Sequence, residues 1–245
     1  MNVEPRIQAK LLDLAAVDTE LTRIAHRRRT LPEQQEVQRL EADRVGRKDA
    51  AVAVQIVLDD LDRDIAKLEG EVDAVRKRED RDRQLLQSGT VGAKQLTELE
   101  HELASLTRRQ EALEEDLLEV MERREATQAD YDHAGGQVDQ IDDALVDAGR
   151  RRDDAVADLD TAQQRCESDR TALVAEFPAD LLAVYDRQRA SGGVGAALLQ
   201  ARRCGACRIE IDRGEIARIQ ATAPDVVVRC PECSAIMVRT KESGL

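Results

Sequence analysis

The sequence is nearly without aromatic side chains: among its 245 residues there are no Trp, one Phe and two Tyr. A compact domain of this length normally fills its core with aromatic rings, because each ring buries a large apolar area. Here Leu, Val, Ile and Ala supply the apolar residues, and 36% of the chain is charged. That composition is typical of long helices and coiled coils, whose thin seam needs no bulky core.

Long apolar runs are also missing. None approaches the length that spans a bilayer, and no signal peptide is recognisable ahead of the first predicted helix. We therefore expect a cytoplasmic protein without a membrane partner. The net charge is −13, yet residues 195–245 carry eight Lys and Arg against six Asp and Glu. The acidic remainder argues against wrapped nucleic acid as the main partner, whereas the slightly basic end permits a local contact.

Helix breakers are few, and one short run of them divides the helical pattern. Residues 88–93 (Ser-Gly-Thr-Val-Gly-Ala) lie between long charged segments, which predicts that the chain reverses there. A reversal centred between Thr90 and Val91 brings apolar residues into mirror-image pairs. These pairs are Leu85–Leu96, Val75–Leu106, Leu68–Leu113, Leu61–Val120 and Leu40–Ile141. Over 54–75 the apolar residues recur every three or four positions, which predicts a left-handed coiled coil.

Proline and glycine mark further features of the helical part. Leu31-Pro32 predicts a kink or break at 30–32, because proline removes a helical hydrogen bond. Gly46 faces Gly135 in the mirror-image pairing, which indicates either a flexible point or a close approach of two backbones. Cys166 falls in phase with the seam and is expected to be a small, buried apolar residue.

The chain changes character after Phe177-Pro178. A short helix is predicted over 180–189, and the glycine-rich residues 191–195 are predicted to form a flexible joint. The joint lacks the Lys-Ser/Thr that follows the glycines of a P-loop, so we do not expect it to bind phosphates in that way.

Two CxxC pairs follow, at 204–207 and 230–233. Two such turns supply four thiolates around one ion, which suits zinc, and four protein ligands close the shell and leave no position for a substrate. We therefore predict one structural Zn²⁺. Its predicted ligands are Cys204, Cys207, Cys230 and Cys233. A redox role for either pair is the alternative.

The predicted fold is mainly α: a long antiparallel coiled-coil hairpin followed by a small, β-rich zinc ribbon. Residues 1–176 are assigned to the hairpin with its tip at 88–93, 177–195 to the short helix and joint, and 196–245 to the ribbon. Within the ribbon we predict a helix at 213–221 and strands at 197–203, 209–211, 226–229 and 235–239.

Several motifs occur in a characteristic order over nearly the whole chain. They are Leu11-Leu12-Asp13-Leu14 with Asp18, Leu31-Pro32, Ser88-Gly89-Thr90-Val91 before Lys94-Gln95-Leu96, Tyr185 with Arg189, Gly193, and the four cysteines. In these features the chain resembles a bacterial family that joins a long helical hairpin to a four-cysteine zinc ribbon of the zf-RING-like type. One departure is Ser234-Ala235, where a Gly-Arg pair commonly follows the last cysteine.

The resemblance implies that the four cysteines bind zinc and that the protein is a non-enzymatic adaptor. Relatives are linked to an alternative sigma factor, to RNA or to secretion components, and the protein partner of this chain is left open. The alternative is a regulatory protein that binds RNA or DNA through the ribbon. The basic residues for that contact are Arg202, Arg203, Arg208, Arg229 and Arg239.

An enzyme is not expected, because the sequence shows no paired acid and base, activated nucleophile or open metal site. The tip at 88–93 is either a plain turn or a second contact surface, since loops both connect helices and carry function.

Overall fold

Helices dominate the computed structural model, which describes all residues from Met1 to Leu245. The helices are α1 Pro5–Arg29, α2 Pro32–Gln87, α3 Ala93–Val174, α4 Ala179–Ala190 and α5 Arg213–Ala221. The strands are β1 Ala196–Gln200, β2 Arg203–Cys204, β3 Val228–Arg229 and β4 Ile236–Val238, and a single 3-10 turn follows at Lys241–Ser243. The predicted fold class is confirmed. None of the helices combines the length and the apolar character that crossing a bilayer requires.

Both predicted interruptions of the long helices are present. Helix α1 ends at Arg29 and α2 begins at Pro32, where the missing N–H of proline costs no helical hydrogen bond. Helix α2 ends at Gln87 and α3 begins at Ala93. Gly89 adopts a φ of +65° in this turn, a left-handed conformation that suits a residue without Cβ.

The helices continue through their internal glycines. Helix α2 passes Gly46 and α3 passes Gly135 without a break. A Cβ placed on either glycine would meet no atom within 4 Å. The close approach of two backbones, one of the two alternatives for this pair, is therefore not found.

The chain divides into two compact units. One of them combines two segments that are far apart in the sequence. The ribbon unit comprises Met1–Gln35 and Arg150–Leu245, and the hairpin unit comprises Glu36–Gly149. The ribbon unit includes α1 because this helix contacts both β1 and β4.

The hairpin unit has a narrow apolar seam. Leu40 and Ile141, a pair expected from the mirror-image rule, share one buried cluster with Val37 and Ala148. Further buried apolar residues of the seam are Leu58, Leu61, Val72 and Leu113. Leu85 and Leu96, beside the turn, stay 47% and 40% exposed. Two helices cover only one stripe of each other, so much of their surface remains open to solvent.

One acidic side chain is buried in this seam. Glu79 is 4% exposed and accepts hydrogen bonds from the hydroxyl of Thr107 on α3 and from the guanidinium of Arg83, both at 3.0 Å. A polar group buried at a coiled-coil seam favours the register in which its partner lies opposite.

The ribbon sheet has the strand order β2-β1-β4-β3, with β1 and β4 parallel and the other pairs antiparallel. The strand predicted at 197–203 is divided because Ala201 and Arg202 have φ values of 43° and 63° and turn the chain. Residues 209–211 make only an isolated bridge, between Glu210 and Arg203. The predicted helix at 213–221 is present as α5, and the side chain of Asp212 caps its first turn.

Helix α1 packs directly on the ribbon. Leu14 lies in one core with Ile236 of β4, and both side chains are fully buried. Gln8 is 3% exposed, and its amide donates to three backbone carbonyls. These carbonyls belong to Val3, Pro224 and Asp225. The amide therefore joins the start of α1 to the loop before β3.

Two glycines of the predicted flexible joint, residues 191–195, pack closely against α4. Residues 191–194 are exposed and Gly195 is buried, so the flexibility of the joint stays a prediction. A Cβ on Gly195 would lie 2.5 Å from the ring of Tyr185, and one on Gly193 would lie 2.5 Å from Nε2 of Gln188. The carbonyl of Gly195 accepts a hydrogen bond from the N–H of Ile236 at the start of β4. These glycines allow close contact between α4 and the ribbon.

Candidate metal centre and the adjoining polar network

The two CxxC turns have the same backbone hydrogen bonds. In the first, the N–H of Cys204 donates to Ile209 O at 3.1 Å, and the N–H of Arg208 donates to Cys204 O at 2.7 Å. In the second, the same roles fall to Cys230 with Ala235 and to Ser234 with Cys230, both at 2.9 Å. The residue after each second cysteine has a left-handed backbone, with φ of 63° at Arg208 and 64° at Ser234. Each turn thus presents its two thiols toward one point.

The four sulfur atoms are close enough to share one ion. The Sγ atoms of Cys204 and Cys233 are 3.7 Å apart, those of Cys207 and Cys230 are 3.9 Å apart, and all four lie within 4.8 Å of one another. A tetrahedral Zn²⁺ with Zn–S bonds of about 2.3 Å separates its sulfur atoms by about 3.8 Å. The chemistry and spacing of the donors therefore fit one structural Zn²⁺.

Burial of two of these thiols disfavours the thiolate form that binds zinc. It raises the pKa of Cys204 and raises the pKa of Cys233 to about 12. Zinc binds thiolates, so its charge offsets the cost of deprotonating these buried groups. The apolar layer that holds the turns in place is small, as expected for a module that depends on metal. It consists of Leu199, Ile211, Ile216, Ile219, Val228 and Met237.

Gly205 has a packing role in the first turn. A Cβ at this position would lie 2.7 Å from the carbonyl oxygen of Leu198 on β1, and Gly205 also donates its N–H to that oxygen at 2.9 Å. The turn can therefore approach β1 only with glycine here.

The basic residues of the ribbon differ in what they contact. Arg203 pairs with Glu210 at 3.2 Å, and Arg229 donates to the carbonyl of Ser234 at 3.0 Å. Arg239 donates to five carbonyl oxygens, between 2.7 and 3.2 Å away. They belong to Ile219, Thr222, Ala223, Pro224 and Val226. The guanidinium of Arg239 thus binds the carbonyls at the end of α5 and in the loop after it. Arg202 and Arg208, in contrast, have no acidic partner.

A second polar centre lies in the ribbon unit, and sequence reasoning did not detect it as a network. Asp18 is 5% exposed and accepts hydrogen bonds from the hydroxyl of Tyr185 and from Nε of Arg170, both at 2.8 Å. Arg189 adds an ion pair at 3.3 Å. Burial, followed by the bond to Asp18, raises the pKa of Tyr185 above its ordinary value. The carboxylate therefore joins α1, α3 and α4.

The sequence contains one signal for this network. Asp18, Tyr185 and Arg189 are among the motifs that carry the family resemblance, but no role was assigned to them. Arg170 carried no signal, because it lies on a helix with many charged residues. The remaining cysteine, Cys166, is half-buried in α3 and lies outside the four-thiol cluster.

The long helices and the four-thiol ribbon define the class of protein. Residues 14–193 match the CT398-like coiled coil hairpin domain, and residues 203–237 match the C4-type zinc ribbon domain. The chain belongs to the CT398-like coiled-coil hairpin family and carries a C4-type zinc ribbon at its C-terminal end.

Particular relatives match the chain over almost its full length. Rv2229c of Mycobacterium tuberculosis is 50% identical over 232 residues, 95% of each chain. A solved structure from Mycobacterium smegmatis is 52% identical with a TM-score of 0.88, and covers 98% of this chain and 100% of that one. CT398 from Chlamydia trachomatis has a TM-score of 0.66 at 14% identity, covering 96% and 99%. The last similarity is one of fold.

Proposed function

We propose that the protein is a non-enzymatic adaptor that binds a partner protein through its hairpin and is held in shape by its zinc ribbon. A four-thiolate zinc site has no open coordination position, which supports a structural role for the metal. The partner surface is a groove in the hairpin unit, and this groove is the observation that carries the proposal.

The groove lies between α2 and α3 and has a volume of about 510 Å³. Val52, Tyr131 and the paired glycines Gly135 and Gly136 line it. Val52 is 58% exposed, and Val45 and Ile56, seven residues before and four after it, are 61% and 55% exposed. Residues at these spacings lie on one face of a helix. A monomeric protein rarely exposes several apolar side chains on one helix face unless a partner covers them.

Charge indicates the kind of partner. The hairpin unit contains thirty Asp and Glu against sixteen Lys and Arg, so its apolar groove lies in an acidic surface. The complementary ligand is an amphipathic helix with an apolar stripe and basic flanks, because such a helix fills a groove and neutralises the charge around it.

A crosslinked pull-down compares the full chain with two variants. Val52→Glu places a charge in the groove and is expected to reduce recovery of the partner at least about tenfold, since burying an unpaired charge at an interface is costly. Leu118→Glu is the matched control, because Leu118 is 62% exposed in the same unit but does not line the groove. Its recovery should equal that of the unchanged chain.

The captured partner must also contain a basic amphipathic helix, and a synthetic peptide of that helix should bind the purified chain more weakly as salt is added. Equal recovery with Val52→Glu would exclude the groove, and failure to capture any specific protein would contradict the adaptor proposal.

Nucleic-acid binding is the second candidate, supported by Arg202 and Arg208, which flank the first CxxC turn without acidic partners. If they contact phosphates, affinity for single-stranded RNA should fall steeply as salt increases, and an Arg202→Gln, Arg208→Gln double variant should have a smaller salt slope. Arg239→Gln tests fold stability instead, since that guanidinium is bound to carbonyls. Absence of RNA binding at low salt would exclude this candidate.

A further inference from the structure

A cleft in the ribbon unit, separate from the zinc centre, has the properties of a ligand site. Its volume is about 470 Å³, within the usual size range of small-molecule pockets. One wall is a face of α1, and the opposite wall is the end of α4 with the glycine-rich residues 191–195. We propose that this cleft binds a small phosphate monoester with an apolar or flat organic group.

The charge of the lining favours an anion. The lining contains three arginines, Arg23, Arg29 and Arg189, and one carboxylate, that of Asp18, so these four side chains carry two net positive charges. The chain as a whole has a net charge of −13, so the sign of the charge in this cleft is opposite to that of the molecule. Arginine matches the geometry of phosphate through paired N–H donors.

Arg29 is the arginine of the cleft whose charge is available to bind a phosphate. Three consecutive arginines end α1, and two of them are neutralised outside the cleft: Arg27 pairs with Glu33, and Arg28 pairs with Asp160. Arg29 lines the cleft and has no carboxylate partner. By contrast, Arg23 pairs with Glu20 and Arg189 with Asp18, so each already shares its charge.

Part of the cleft lining is apolar. Ala15, Val194 and the Tyr185 ring line it together with three glycines, and the hydroxyl of Tyr185 is already bound to Asp18. A bare phosphate would leave this part empty, whereas the organic group of a monoester would cover it. The glycines here do not form a P-loop; Gly195 lets the backbone pass close to the Tyr185 ring, and Gly193 lets it pass close to Gln188.

The site is tested by titrating the zinc-loaded full chain with phenyl phosphate, inorganic phosphate and phenol at low salt, followed by NMR. Phenyl phosphate should bind most tightly, at least about fivefold more tightly than inorganic phosphate, and phenol should not bind measurably. The largest shifts should fall on Arg29, Val194 and Gly195. Arg29→Gln should raise the Kd for phenyl phosphate about tenfold or more, because a charge-assisted hydrogen bond is lost.

Arg27→Gln is the matched control. The last turn of α1 presents a negative dipole end, and a general role in balancing that dipole would be shared by its arginines. The site predicts that Arg27→Gln leaves the Kd within about twofold, since the change is outside the cleft. Thr22→Trp, at an exposed position of the lining, should block phenyl phosphate without removing a charge.

Three results would overturn the proposal: no saturable binding of phenyl phosphate, equal losses of affinity in Arg27→Gln and Arg29→Gln, or full binding to the Thr22→Trp chain. Because the partner groove lies in the hairpin unit, Val52→Glu should leave phenyl phosphate binding unchanged. The two proposals can therefore fail independently.

Discussion

The two compact units are stabilised by different kinds of buried side chains. In the hairpin unit, the buried side chains are mostly Leu, Val and Ile repeated along two helices, with no buried aromatic ring. In the ribbon unit, a few unlike groups connect many segments: the carboxylate of Asp18, the fully buried ring of Tyr185 and the four thiols. In the hairpin unit the stabilising contacts are spread over many similar residues along the seam. In the ribbon unit they depend on a few residues.

This difference predicts unequal responses to substitution. A seam residue has neighbours of the same kind, so the loss of one contact leaves the pattern intact. A residue such as Asp18 has no substitute, because its partners lie on two other helices, Arg170 on α3 and Tyr185 with Arg189 on α4, and would lose the carboxylate that they share. The substitutions below test that contrast, and those in the ribbon unit are expected to have the larger effects.

Cys204→Ser should have the largest effect. Loss of one thiolate should abolish stable zinc binding and unfold the ribbon, since structural zinc contributes about 10–16 kcal/mol of apparent folding free energy in finger peptides. Zinc content and the NMR spectrum of the ribbon residues measure both consequences. Cys166→Ser is the matched control and should retain zinc and spectrum, because Cys166 is not in the cluster. Full zinc occupancy in Cys204→Ser would contradict the ligand assignment.

Asp18→Asn should lower the free energy of unfolding by about 3 kcal/mol, because it removes the buried charge that Arg170 and Arg189 share and leaves Arg170 only its pair with the half-exposed Asp186. Urea unfolding measures the change. The same substitution at Asp13, an exposed residue of α1, should alter stability by less than about 0.5 kcal/mol. Equal effects at the two positions would show that the network does not hold the three helices together.

The contrast also explains what the sequence could predict. The turn at 88–93, the break before Pro32 and helix α5 follow from local signals, namely glycine, proline and an Asp cap. The zinc quartet is predictable because the spacing within each pair fixes the turn.

The packing of the ribbon unit could not be read in the same way. Asp18 and Arg170 are far apart in the sequence, and no local rule pairs two charged residues on long helices. Residues 191–195 were predicted to be flexible because glycine permits both flexibility and close packing. Only the fold shows that Gly195 packs against the Tyr185 ring while residues 191–194 stay exposed.

Ser234→Gly should stabilise the ribbon by about 1 kcal/mol, since Ser234 has a φ of 64°, which strains a residue with a Cβ. The departure from the family's usual glycine therefore has a measurable cost. Thermal unfolding of the zinc-loaded chain measures it. Ser191→Gly, where φ is −78°, provides the control and should be neutral or slightly destabilising. A loss of stability in Ser234→Gly would contradict the strain at this position.

Glu79→Leu should have the smallest effect, from zero to about 1 kcal/mol of stabilisation, because an apolar residue at a buried seam position removes a desolvated charge. Its two partners keep alternatives: Thr107 also bonds Leu103 O, and Arg83 is 54% exposed. Chemical unfolding gives the value. Destabilisation of about 3 kcal/mol, as expected for Asp18→Asn, would remove the distinction between the units.

The central claim is that four cysteine thiolates hold one zinc ion in a closed site that orders the ribbon. X-ray absorption at the zinc edge, combined with metal analysis of the purified chain, tests it most directly. We predict one zinc per chain with four sulfur ligands at about 2.3 Å and no nitrogen or oxygen neighbour. A first shell that contains water or another light atom, or fewer than four sulfurs, would contradict a closed structural site.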